Sequence, residues 1–139
     1  MPLKQTLISL VIASIIPSIV IASELYVVVS NNLKAENFSS DDVKHILLGE
    51  TSQIKNARVN LIYPSYSSPE IETLSKFVGK GGSVRNLKAY WSRMIFTGKG
   101  IPPLTANSEA ELKQLINKEN SIGVSTIATD LNVVYTIKD

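Results

Sequence analysis

Residues 87–103, LKAYWSRMIFTGKGIPP, constrain the fold more tightly than any other stretch of the chain. Val84, Leu87, Trp91, Met94 and Ile95 recur at helical spacing and define one apolar face, while Arg85, Lys88, Ser92 and Arg93 fall largely on the others. Trp91 is the only tryptophan, and burying it removes a large apolar area from water. Gly98 follows the last apolar turn, where a helix end favours a residue able to take positive φ. Pro102 and Pro103 then forbid continuation. The segment reads as a core helix with a sharp, glycine-rich exit.

What surrounds this helix is bounded by length and charge. With 139 residues the chain has room for one ordinary domain. Residues 2–22, PLKQTLISLVIASIIPSIVIA, hold one lysine, a long uncharged apolar run and small residues around Ala22 and Ser23. This is the pattern of a cleavable signal peptide over residues 1–23, with an uncleaved membrane anchor as the alternative. Either way, the folded part, residues 24–139, is expected outside the cytoplasm, periplasmic or secreted. Of the 14 basic side chains only Lys4 lies in that leader, which leaves 13 against 12 acidic ones. So balanced a domain lacks the basic footprint of a nucleic-acid binder. There is no cysteine, which excludes disulfide staples and thiolate chemistry.

Along the chain, β-like and helical patterns alternate. Residues 24–30 (ELYVVVS) form a nearly continuous apolar run and read as a strand buried on both faces. Residues 38–49 read as a short helix, capped by Ser39 or Ser40, carrying Asp41 and Asp42 in its first turn and stopped by Gly49. Residues 50–57 are polar and turn-like, 57–63 read as a second strand, and 64–69 as a hydroxyl-rich loop between prolines. A helix over 70–78 ends at the glycines of 79–82, and a capped helix over 107–116 pairs Ser108 with Glu111 at capping-box spacing. Strands over 121–125 and 131–137 complete the order. The expected fold is α/β: one three-layer domain with a small, mostly parallel or mixed sheet of about four strands, flanked by helices.

Such sheets place ligands beyond the strand C-termini, where helix N-termini converge. Ser65, Ser67 and Ser68 follow a strand and precede a helix, so their hydroxyls and neighbouring N–H groups suit a tetrahedral oxyanion; the alternative is an ordinary N-cap by Ser68. Thr97, Gly98 and Lys99 could form a backbone nest for an anion or merely cap the helix, and their spacing is not that of a nucleotide-binding loop. His45 has no second ligand at metal spacing. No serine sits in a G-x-S-x-G elbow, and the paired acids read as helix-start charges. Catalysis, metal and cofactor are therefore not expected.

The run AYWSRMIFTGKGIPP resembles the signature of short secreted proteins similar to phosphate ABC transporter substrate-binding proteins, within the type 2 periplasmic-binding-protein superfamily. The resemblance extends over residues 25–137: the helix end Ile46-Leu47-Leu48-Gly49, the loop Ser67-Ser68-Pro69 and the strand Ser121-Ile122-Gly123-Val124 occupy the family's places in order. It implies a domain like one lobe of a periplasmic binding protein, non-enzymatic, expected as a monomer, with phosphate or another oxyanion as ligand. It also implies an envelope transporter or sensor as partner. Two positions depart from the pattern: Ser67 stands for a glycine, and Ile71 falls where the family's anion loop commonly has an arginine. A domain that kept the fold and lost the ligand, acting as an accessory interaction module, is the second reading.

Overall fold

A computed structural model describes residues 12–16, 24–33 and 37–138. Apart from residues 12–16, the expected leader over 1–23 lies outside the described residues. Eleven elements follow in chain order: β1 Leu25–Val29, α1 Ser40–Leu47, β2 Gln53–Ile54, β3 Ala57–Arg58, β4 Asn60–Pro64, α2 Glu70–Val78, α3 Val84–Phe96, β5 Leu104–Ala106, α4 Glu109–Ile116, β6 Ser121–Ser125 and β7 Asn132–Ile137. Five strands form the main sheet in the order β5-β4-β6-β1-β7. β4 runs parallel to β5 and β6, whereas β1 pairs antiparallel with both β6 and β7. The sheet is mixed and has one strand more than expected.

Strand alternation sorts the sheet into two apolar faces. Val27, Val29, Leu61, Tyr63, Ile122 and Val124 pack on one side with the buried stripes of α1, α2 and α3. Val28 and Ile62 face the other way, onto Leu112 and Ile116 of α4. The result is the three-layer domain expected from the sequence. Gly123 brings α4 close, because a Cβ there would lie 3.0 Å from Leu112 Cδ1 and 3.2 Å from Ile62 Cβ.

Trp91 sits at the junction of three elements. Its indole Nε1–H donates to Tyr63 Oη (3.2 Å), and Tyr63 Oη–H donates in turn to the carbonyl of Leu47, at the end of α1. Tyr90 Oη–H donates to the next carbonyl, that of Leu48, at 2.5 Å. Both tyrosine rings meet Trp91 edge to face, with centroids 6.0 and 5.4 Å away. The two aromatic hydroxyls thus satisfy carbonyls that the end of a helix leaves without partners. Burial pushes the Tyr63 phenol well above its ordinary pKa, so it stays a donor. Gly49 closes α1 beneath the indole with φ 68°, and a Cβ there would lie 2.9 Å from Trp91 Cη2.

Four details differ from the sequence reading. Ile95, expected on the buried face of α3, is 50% exposed, and Tyr90 is buried beside Trp91 instead. The hundred-degree step per residue turns position 95 past the edge of the stripe that Leu87, Trp91 and Met94 define. Residues 50–57 contribute a small hairpin, β2–β3, whose turn places Lys55 and Asn56 at positive φ. The strand expected over 57–63 is broken at Val59, so that 57–58 pair with β2 while 60–64 enter the main sheet. β5 was not expected, because a three-residue edge strand after two prolines carries no usable periodicity.

Two substitutions test this junction. Gly49→Ala imposes left-handed strain and a clash with Trp91 and should lower stability by about 1–3 kcal/mol. Tyr63→Phe leaves the Trp91 Nε1–H and the Leu47 carbonyl without their partner, at a cost of about 1–3 kcal/mol. Urea unfolding followed by Trp91 fluorescence reads both, and a midpoint unchanged by either substitution would remove this junction from its place in the fold.

Candidate functional site

The parallel strands β4, β5 and β6 end side by side at Pro64, Ala106 and Ser125, and a small cleft of about 150 Å³ opens there. Ser65, Ser68, Glu70, Asn107, Glu109 and Thr126 supply its polar lining. The N-termini of α2 and α4 both open on it. Pro69 occupies the α2 cap position and makes no side-chain cap bond, so the first turn of α2 is not capped by the serine loop. The N-cap role foreseen as the alternative for Ser68 is not taken: its Oγ–H donates to the Ser65 carbonyl at 2.6 Å. Ser65 Oγ lies 2.9 Å from Ser67 Oγ and accepts from the Ser67 N–H at 3.3 Å. The three serines thus form one locally bonded loop at the mouth of the cleft.

Glu109, the first residue of α4, dominates the other wall. Its carboxylate accepts from Ser125 Oγ–H (2.6 Å), from the Thr126 N–H (2.8 Å) and from Thr126 Oγ–H (2.7 Å). Burial pushes the Glu109 carboxyl up, but the hydrogen bonds from Ser125 and Thr126, helped by Lys113, outweigh it and hold its pKa below the ordinary value. The carboxylate receives hydroxyl and amide donors of the kind a bound oxyanion would use. Neither lysine nor arginine is among the residues that line the cleft. Sequence reasoning missed Glu109, Ser125 and Thr126, because an acid at the start of a helix reads as an ordinary dipole partner. Only the parallel pairing of β4 with β6 brings 109 and 125–126 to the serine loop.

Thr97, Gly98 and Lys99 lie at the opposite end of the sheet. Gly98 and Lys99 border a groove of about 590 Å³ that also contains Asn60, where β4 begins, and Leu104, where β5 begins. The structure therefore brings Ser65, Ser67 and Ser68 together but does not join them to Thr97, Gly98 and Lys99. The N–H groups of the second set are already used: Thr97 donates to Arg93, Gly98 (φ 67°) to Ile95 and Lys99 to Met94 at 2.9 Å. These last two bonds form the Schellman motif that ends α3, so the backbone donors expected of a nest are spent on helix carbonyls. His45 is exposed and its Nδ1 contacts the Glu50 carboxylate. Among the described residues no group of three or more His, Cys, Asp or Glu side chains is placed to hold a metal ion, and no helix is long and apolar enough to cross a membrane.

Two solved receptors share this fold over part of their length. An ABC-type phosphate transport receptor from Vibrio cholerae superposes with a TM-score of 0.51 at 16% identity, covering 79% of this chain and 44% of the receptor. A protein assigned as a phosphate ABC transporter substrate-binding protein from Clostridium perfringens, solved with bound phosphate, gives 0.57 at 14% identity, covering 82% and 46%. The chain thus spans just under half the length of these receptors and shares their fold over most of its own. No family model matches the sequence. No curated protein matches it closely enough to name a relative.

The Glu109 contacts have a measurable consequence at low pH. A carboxyl whose folded pKa is depressed contributes stability that is fully present above its unfolded value near 4.5 and is lost as pH falls through the folded one. Glu109→Gln cannot accept all three bonds and should cost about 1 kcal/mol at pH 7 after solvent screening. The gap between the two chains should narrow as pH falls below about 4.5. Thermal melts across pH 3–7 check this, and a gap independent of pH would mean the carboxylate charge plays no part.

Proposed function

We propose that this chain is an exported, single-lobe binding protein of the phosphate-receptor type, which holds a small tetrahedral oxyanion without transforming it. The observation that carries the reading is the convergence of the α2 and α4 N-termini and the Ser65–Ser68 loop on one cleft at the C-terminal ends of three parallel strands. Helix dipoles and hydroxyl donors favour negative charge at such a place. The fold shared with a protein that carries phosphate supports phosphate as the first ligand to try. Ser65 and Ser68, together with Ser125 and Thr126 once Glu109 releases them, are the groups proposed to face it; Ser67 acts through Ser65. Export by residues 1–23 belongs to the same proposal. So does a monomeric state with an envelope transporter as partner.

A different observation favours the second reading, an accessory interaction domain without a small ligand. The Glu109 carboxylate already takes the Ser125 and Thr126 donors, and no lysine or arginine is among the residues lining the cleft to meet a second negative charge. One experiment separates the two. Phosphate at a hundred times its Kd adds about 2.7 kcal/mol to the stability of a protein that binds it. Under the receptor reading the melting temperature rises with phosphate concentration, the rise is larger in Glu109→Gln and smaller in Ser68→Ala, and sulfate ranks differently. A flat response to phosphate and sulfate up to roughly 10 mM in both the parent and Glu109→Gln, a range reaching only Kd values below about 10 mM, would sink the receptor reading and leave the interaction domain.

A further inference from the structure

The charges of this nearly balanced chain are segregated. Residues 79–108 contain Lys80, Arg85, Lys88, Arg93 and Lys99 and no acid, so all 12 acidic side chains lie elsewhere. Arg85, Lys88, Ser92, Arg93 and Phe96 follow one another at helical spacing along the side of α3 that faces away from Leu87, Tyr90 and Trp91. Lys80 is paired with Glu50 at 3.2 Å, whereas Arg85, Arg93 and Lys99 make no ion pair among the described residues.

The end of α3 and the chain just after it carry the most exposed large apolar side chains among the described residues from 24 onward. Phe96 is 93% exposed and Ile101 72%, with Ile95 and Leu104 at 50% each. All four fall within ten residues: Ile95 and Phe96 on the last turn of α3, Ile101 in the loop that follows and Leu104 at the start of the edge strand β5. Exposed aromatic and aliphatic groups concentrated in this way mark a contact surface. Ile101 and Leu104 line the groove of about 590 Å³ beside Lys99, whereas Ile95 and Phe96, on the turn that the Schellman bonds close, project outside it.

We propose that this basic, apolar-tipped face of α3 docks the protein on an anionic lipid bilayer. Projecting apolar groups suit the bilayer interface, which accepts them without a matching cavity, and unpaired cations beside them suit acidic headgroups. An acidic protein partner would satisfy the charge but would have to supply a pocket for Phe96. The apolar run of residues 2–22, as a leader or an anchor, brings the chain to a membrane in either case. The inference is independent of any oxyanion in the cleft at the other end of the sheet.

The absence of cysteine makes a site-specific probe simple. An environment-sensitive fluorophore is attached to Phe96→Cys in the full chain, and to Glu72→Cys on exposed α2 as a control. With phosphatidylglycerol vesicles the label at 96 should shift to shorter wavelength, and that at 72 should not. The effect should vanish on phosphatidylcholine and in roughly 0.5 M salt, and Lys99→Gln should weaken it about fivefold. Because position 96 is read directly, an N-terminal segment that inserts by itself cannot imitate the result. A label at 96 that stays unmoved while the chain sediments with vesicles would overturn the proposal. So would an equal shift on zwitterionic lipid, or a shift that grows with protein concentration in the absence of vesicles, which would assign the face to a second copy of the chain.

Discussion

The buried chain of hydrogen bonds from Trp91 through Tyr63 to the end of α1 is the constraint on which the rest of this structure hangs. It joins an indole on α3, a phenol on the central strand β4 and a helix carbonyl, and leaves none of the three polar groups orphaned. The apolar area of Trp91 and Tyr63 drives the packing. Their single donors restrict its geometry, because each ring must be buried with its donor bonded. Gly49 is the complement of the indole: positive φ and the absence of a Cβ let α1 end against its ring.

With α1 and α3 held to one face and α4 brought against the other through Gly123, the sheet acquires two unlike ends. At one, the C-termini of β4–β6 meet two helix N-termini, and the field there favours negative charge. The protein places Glu109 in that field and gives it Ser125 and Thr126 as donors. At the other, α3 ends in exposed apolar groups and unpaired cations. The receptors that share the fold are about twice as long.

Local chemistry made several parts legible. Ser39 capping α1 with Asp42, and Ser108 capping α4 through the Glu111 N–H, follow from residue types at fixed spacing. The end of α2 at Gly79 and of α3 at Thr97-Gly98 needed only the preference of glycine for positive φ. β5 escaped, because three residues on a sheet edge are ordered by their pairing with β4 and not by their own pattern. Ile95 escaped because a window of apolar residues says which face is buried but not how wide the burial is. The serine loop was found as a segment, and the carboxylate that faces it was not.

The sequence by itself determined the type of each long element, its caps, the buried β1 run, the core position of Trp91 and the α/β class, because these rest on interactions within a few residues and on periodicity. It also determined the resemblance to phosphate receptors, carried most strongly by residues 89–103. Only the tertiary structure decided that the two loops with anion-binding composition lie at opposite ends of the sheet, that the Schellman bonds use up the donors of one, and that Glu109 faces the other. The physical reason is that those facts depend on strand order. The parallel β4–β6 crossover brings together residues some 60 positions apart, and no local preference encodes which strands will be neighbours.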